Sequence, residues 1–207
     1  MGELTRSISS GIPFEESEDL VVRLKENDEE AFAEVFHLYK DMVYRLSYRL
    51  LADKAEAMDI TQEVFLVLFR KIASFRGDCS LKTWLYRVCF NQAANRNRWW
   101  KRRFKNHTLS LNIDANGNEP NLPESASRMP SPEQDLYSQE LQKVLHESLK
   151  NLPFEQRAAV TLRDVEGLSY EEIAKITGTN VGTVKSRIAR GREQLRQLLL
   201  SHREGSL

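Results

Sequence analysis

The chain has 207 residues, enough for one or two domains with modest cores. Its 30 Lys and Arg balance 30 Asp and Glu, so overall charge decides nothing about a polyanionic partner, and no apolar run is long enough to span a bilayer. No basic-then-apolar segment opens the sequence. Cys79, Cys89 and four scattered histidines form neither a zinc pattern nor a disulfide framework, so reduced thiols, no metal, no cofactor and a cytoplasmic protein are expected.

Residues 1–18 read as an acidic tail. Carboxylates crowd the first third, from Glu15 to Glu34, whereas none lies between Asp78 and Asp114. That gap holds Lys82, Arg87, Arg96, Arg98, Lys101, Arg102, Arg103 and Lys105. The asymmetry points to one surface for a protein partner and another for phosphates; a solvated charge run is the plain alternative.

After Asp28, a candidate helix cap, Phe32, Val35, Phe36, Tyr39, Val43, Leu46 and Leu50 recur on one helical face and are expected in a core. From about 53 to 72 a second helix turns Ile60, Val64, Phe65, Leu68 and Ile72 inward. Its opposite side carries Asp59, Gln62, Glu63, Leu66 and Arg70, a docking stripe or an ordinary exposed face with i to i+4 pairing. A break at 74–80 contains Gly77 and Asp78. The next helix, from about Leu81, puts Leu81, Leu85, Val88 and Trp99 on one side and Arg87, Asn91, Asn95, Arg98 and Arg102 on a neighbouring one. Trp84, at the head of that polar stripe, reads as packing or as a stacking surface. Trp99 and Trp100, inside the Arg/Lys run, read as nucleic-acid contacts or as a cap over the end of the lobe.

Between about 106 and 133 the pattern gives way to Asn, Asp, Gly, Ser and four prolines (Pro120, Pro123, Pro130, Pro132), a flexible linker. Apolar periodicity resumes near Leu136, through Leu141, Val144, Leu145 and Leu149, and Pro153 opens the next helix. The segment from Leu168 to Arg187 then reads as a helix-turn-helix. Ser169 with Glu172 is a capping box, small Ala174 permits a close crossing, and Gly178 suits the turn. The second helix puts Val184, Ile188, Leu195 and Leu199 inside and Gly182, Ser186, Ala189, Arg190 and Glu193 outside. Lys185, Arg187 and Arg192 flank the outer face as phosphate contacts. A purely structural helical pair with a basic face is the alternative. With no repeat and no strand-like alternation, the expected fold is all-α, two small helical domains joined by the linker: tail 1–18, first lobe 19–105, linker 106–133, second lobe 134–203.

Taken together, Asp59-Ile60-Thr61-Gln62-Glu63-Val64-Phe65, Phe75-Arg76-Gly77-Asp78, Thr83-Trp84-Leu85-Tyr86-Arg87-Val88 with Asn91, Leu152-Pro153, Gly167-Leu168-Ser169-Tyr170-Glu171-Glu172-Ile173-Ala174 and Val181-Gly182-Thr183-Val184-Lys185-Ser186-Arg187 resemble a bacterial RNA polymerase sigma factor. The likeness is to the extracytoplasmic-function class of the sigma-70 family and runs from about Asp19 to Leu199. It implies that 19–105 is sigma region 2, with Asp59, Gln62, Glu63 and Leu66 docking on the beta and beta-prime subunits of core polymerase. It also implies minus-ten contacts from Phe75, Arg76, Gly77, Asp78, Arg87, Asn91 and Arg98, the loop 75–82 holding a flipped base. Region 4, within 134–203, would read the minus-thirty-five element through Thr183, Lys185, Ser186, Arg187, Ala189 and Arg190. An anti-sigma factor is the expected inhibitor. Asn95 stands where the family often has aspartate, and Ala189 where a larger residue is common, which bears on base preference.

The resemblance sets a length constraint. The two promoter elements lie on the order of 50 Å apart, given a duplex turn of roughly 34 Å. A coil-like linker of about 28 residues averages about 30 Å and reaches about 90 Å when stretched. The free lobes are therefore expected to stay near each other until polymerase extends the linker. No nucleotide-hydrolysing motif is present, so the chain is expected to act by binding rather than as an enzyme. Two rival readings are a self-sufficient helix-turn-helix regulator and a nucleic-acid enzyme with a metal on Asp59 and Glu63.

Overall fold

The computed structural model describes residues 18–104 and 144–204, and every regular element among them is helical. The linker expected at 106–133 and the residues Leu136 and Leu141 lie outside the described residues, as does nearly all of the tail.

The first lobe begins with α1 (Glu18–Lys25), whose Leu20 and Leu24 are buried. Arg23 ties it to the next helix, its Nε donating to Asp28 at 2.7 Å and its Nη1 to Glu34 at 3.3 Å. Asp28 also caps α2 (Glu29–Leu51) by accepting from the Glu30 amide at 2.9 Å, as the sequence suggests. The chain reverses at Ala52, held at φ 58°, a left-handed position that costs a residue with a Cβ about 1 kcal/mol. Asp53 then caps α3 (Lys54–Lys71), and a 3-10 turn (Ile72–Ser74) leads into the loop 75–80. Ser80 starts α4 (Leu81–Phe104) by accepting from the Thr83 amide at 3.1 Å.

α4 packs against both α2 and α3. Leu85, Cys89 and Ala93 meet Leu46, Leu50, Ile60, Val64 and Leu68 in a core from which water is excluded. One expected core residue falls outside it. Phe36 is 43% exposed and leans edge-on against Phe65 at 4.9 Å, because the position lies at the rim of the α2 face. Trp99, grouped with Leu81 and Leu85 on one side of α4, is exposed.

The second lobe comprises α5 (described over 144–150), α6 (Phe154–Val160), which widens into a π turn (Thr161–Val165), α7 (Tyr170–Thr177) and α8 (Val181–Glu204). The capping box is complete: the Glu172 amide donates to Ser169 Oγ at 3.2 Å, and the Ser169 amide donates to Glu172 Oε2 at 2.8 Å. The Ser169 amide and hydroxyl hold the Glu172 carboxyl below its ordinary range. Gly178 ends α7 at φ 64°, and Asn180 Oδ1 caps α8 by accepting from the Thr183 amide at 2.7 Å. Val184, Ile188 and Leu195 face inward as expected, whereas Leu199 is exposed where α8 outruns its neighbours.

The lobes share one buried cluster. Phe154, Ala158, Ile173 and Val184 of the second lobe belong to the same core as Leu46 and Leu85 of the first, with α7 set against α4 and α6 against α2. Phe90 and Phe154 touch across the boundary, ring centroids 5.9 Å apart. The expected proximity of the lobes is thus direct packing.

Close approach of α8 to α6 depends on Gly191, where an added Cβ would lie 2.6 Å from Val160 Cγ2. Val160 is β-branched and cannot swing aside. Gly191→Val is expected to destabilise the second lobe by about 1–3 kcal/mol, read as a lowered thermal midpoint with unchanged helicity at low temperature.

Candidate nucleic-acid interface

Three groups of residues singled out in the sequence occupy three surfaces. On α3, Asp59 and Gln62 are exposed and Leu66 is 52% exposed, so these three form an outward stripe. Glu63 departs from it. Its Oε1 accepts from Arg96 Nη2 of α4 at 3.1 Å, and the same guanidinium pairs with Glu56. Glu63 is thus engaged in fastening α3 to α4. Two neighbours missing from the sequence reading join the stripe: Met58 and Phe69, 56% and 58% exposed. The signal was the unbroken apolar run 64–69, which at about 100° per residue cannot all face one side of a helix.

On the second surface, Arg76, Gly77 and Asp78 project from the loop, with Gly77 at φ 77°. Phe75 does not project with them. It is 8% exposed and meets buried Trp84 edge-on at 6.2 Å, so the pair anchors the base of the loop. In this structure Phe75, which the resemblance gives as a minus-ten contact, and Trp84 pack against each other. Beyond them Arg87, Asn91, Asn95, Arg98 and Arg102 are all exposed along one side of α4, and Arg98 is held by a hydrogen bond to Asn95 Oδ1. The inner side of the same helix is chemically quiet. Burial pushes the Cys89 thiol up to about 12, and Ser47 Oγ lies 3.2 Å from its sulfur.

On the third surface, α8 exposes Gly182, Lys185, Ser186, Ala189, Arg190 and Glu193. Thr183 is half-buried, and its carbonyl accepts from Ser186 Oγ at 2.9 Å. Lys185 extends over the Tyr170 ring at 5.5 Å. Two arginines expected to flank the groove face pair with carboxylates of the chain: Arg187 is half-buried, and Arg192 stays exposed. Arg187 pairs with Glu155 of α6 at 3.4 Å, and Arg192 Nε donates to Asp164 at 2.9 Å. A nearby carboxylate outcompetes water for a guanidinium, so these side chains brace α8 on α6 and the π turn. Arg190 stays exposed at the crest of the helix.

A fourth feature was not legible in the sequence. Where the lobes meet, Glu166 Oε2 accepts from the Tyr86 hydroxyl at 2.7 Å and Oε1 from Arg49 Nη1 at 3.2 Å. Burial, reinforced by the adjoining carboxylate, drives the Tyr86 phenol far above its ordinary value, so it stays protonated and donates. Burial draws the Arg49 guanidinium down while Glu166 opposes that shift. Behind this contact Tyr48 and His146 stack at 4.3 Å with their planes 7° apart.

Sequence comparison matches the two lobes separately. The Sigma-70 region 2 family matches residues 35–103, and the Sigma-70, region 4 family matches 142–195. The chain is 36% identical over 185 residues to the RNA polymerase sigma-H factor of Pseudomonas aeruginosa, covering 89% of this chain and 94% of that protein. It is 36% identical over 176 residues to the ECF RNA polymerase sigma-E factor of Escherichia coli K12, covering 85% and 90%. It is 34% identical over 179 residues to the ECF sigma factor SigW of Bacillus subtilis, covering 86% and 94%. Among solved structures, the sigma factor RpoE of Bartonella quintana, crystallised with the anti-sigma factor NepR, superposes with a TM-score of 0.62 at 26% identity, over 82% of this chain and 97% of that one.

The contact at Glu166 yields a direct test. Glu166→Ala leaves Arg49 and the Tyr86 hydroxyl without their shared acceptor, and charge-assisted bonds of this kind contribute about 1.5–3 kcal/mol. The ratio of closed to open molecules should fall about 10- to 100-fold, seen as lower energy transfer between dyes on α3 and α8 with helicity unchanged. Unaltered transfer would show that the apolar seam alone holds the lobes together.

Proposed function

Because the chain belongs to the sigma-70 family, in its extracytoplasmic-function group, we propose that it binds core RNA polymerase through α3 and confers promoter recognition through α4 and α8. Sigma region 2 spans 19–105 and sigma region 4 spans 134–203. The observation that carries this reading is the orientation of α4 and α8: each buries one face in the shared core and leaves a polar, largely basic face in solvent.

The division of labour follows from the chemistry of the faces. Arg76, Gly77 and Asp78 surround an extruded base of the minus-ten element while Arg87, Asn91 and Arg98 track its strand. Capture of unpaired bases, coupled to polymerase binding, offsets the few kcal/mol needed to unstack each one. Arg190 makes a guanine-edge contact in the minus-thirty-five duplex, and Thr183, Lys185, Ser186 and Ala189 complete that face. The chain acts by binding, in the cytoplasm with the polymerase it serves, and leaves the chemistry of RNA synthesis to that enzyme.

Packing of the lobes adds a thermodynamic condition. Engaging two elements on the order of 50 Å apart requires that α7 leave α4 and that Glu166 lose Tyr86 and Arg49. Core polymerase supplies that free energy by binding the open form more tightly, so the free chain binds promoter duplex poorly. An anti-sigma factor, the kind of partner with which the Bartonella protein was crystallised, is the expected inhibitor.

Transcription in vitro with core polymerase tests the whole reading: initiation at defined start sites is expected only when the chain is added. Asp59→Arg with Leu66→Glu should abolish core binding while leaving the fold intact, since both residues are exposed. Glu63 is unsuited to this test because changing it also removes one of the two carboxylates that Arg96 of α4 pairs with on α3. Arg190→Ala should weaken discrimination at one base pair of the upstream element by about 1–3 kcal/mol, with core affinity unchanged in a binding titration.

A further inference from the structure

α4 carries an aromatic end that neither the core nor the loop accounts for. Trp99 and Trp100 are 43% and 38% exposed, their rings perpendicular with centroids 5.6 Å apart. The Arg103 guanidinium lies over the Trp99 ring at 5.1 Å, and Lys101, Arg102 and Arg103 are all exposed. From Arg98 to Arg103 every described residue of the helix is exposed, so these indoles stand on a segment that the core leaves in solvent. At about 100° per residue, Trp99 lies about 40° around the helix from Asn95 and about 60° from Arg102. It therefore borders the polar stripe directly.

The occupant of such a surface is decided by charge. Arg98, Lys101, Arg102 and Arg103 surround the indole, and the sequence has no carboxylate between Asp78 and Asp114 to balance them. A polyanion is attracted to that set and a basic protein surface is repelled. A cation stacked on one ring face fixes the indole without covering its other side, and an exposed, fixed aromatic ring beside phosphate-binding groups is the arrangement that stacks unpaired bases regardless of their identity. Duplex DNA offers no free base face. A single strand does.

We propose that Trp99, braced edge-on by Trp100 and flanked by Arg98, Arg102 and Arg103, is a stacking platform for an unpaired base of the strand that runs along α4. The proposal rests on the reading of α4 as the helix that meets melted promoter DNA, and it extends the contact surface of that helix beyond the loop and the stripe. Stacking is weakly dependent on salt, whereas the arginines act on phosphates, so the two contributions separate experimentally.

The test uses holoenzyme reconstituted from core polymerase and the full chain. The probes are two fluorescein-labelled versions of a promoter located by start-site mapping, one fully paired and one ending in a single-stranded non-template tail across the minus-ten element. At a temperature low enough to keep the paired probe unmelted, Trp99→Ala should weaken binding of the tailed probe about 5- to 100-fold, leave the paired probe unaffected and keep the salt dependence of binding unchanged. Trp99→Phe should restore most of the loss. Arg103→Ala should instead flatten the salt dependence. Equal binding of the tailed probe by Trp99→Ala overturns the platform, and so does a parallel loss on both probes or a loss of core affinity, which would make Trp99 a structural or protein-contact residue. If wild-type chain forms no holoenzyme, the function itself falls, an outcome distinct from these.

Discussion

Glu166 sits where two otherwise apolar surfaces meet, and its two oxygens are both used: one by the Tyr86 hydroxyl, the other by Arg49. A carboxylate in such a seam is tolerable only when its charge is answered, because desolvation otherwise outweighs any packing gain. Tyr86 and Arg49 come from α4 and α2 of the first lobe, and Glu166 follows the π turn of the second. The arrangement therefore exists only while the lobes are docked. Opening the molecule returns three polar groups to water together with the Phe90 and Phe154 rings, which keeps the closed form accessible yet breakable.

This contact places α4 at the centre of the molecule's behaviour. Its inner face serves both lobes, packing on α2 and α3 from one side and receiving α7 from the other. Its outer face is left to the polar stripe. A partner that pulls the second lobe away removes one packing surface of α4 without disturbing the α2 and α3 contacts that hold the helix straight. Polymerase can thus spend binding energy on separating the lobes while the face that meets DNA stays preorganised.

Charge is distributed with the same economy. Arg23, Arg49, Arg96, Arg187 and Arg192 all terminate on carboxylates of the chain itself. They orient helices, fixing α1 on α2, α3 on α4 and α8 on α6. The cations proposed to meet nucleic acid lie elsewhere, in the loop at Arg76, along α4 and at the crest of α8. A near-neutral protein presents a locally basic surface along α4 because its sequence has no carboxylate between Asp78 and Asp114.

Local signals were strong enough to be read directly from the chain. Asp28 caps a helix, Ser169 and Glu172 form the capping box, and Gly178 takes the left-handed turn, since each of these depends only on residues within a few positions. The outer faces of α4 and α8 were equally legible, because 3.6-residue periodicity fixes which side chains share a side. Pairings between distant residues were not. That Phe75 turns inward onto Trp84, that Glu63 answers Arg96 and Arg187 answers Glu155, that Gly191 admits Val160, and that Glu166 joins Tyr86 and Arg49 across 80 and 117 positions are consequences of how helices pack. Periodicity assigns a residue to a face but not a partner to a residue. The sequence by itself determined the helices, their caps and the family. Only the tertiary structure decided which charges are free to meet DNA and that the lobes close on one another, because both depend on distances between groups that the chain order does not contain.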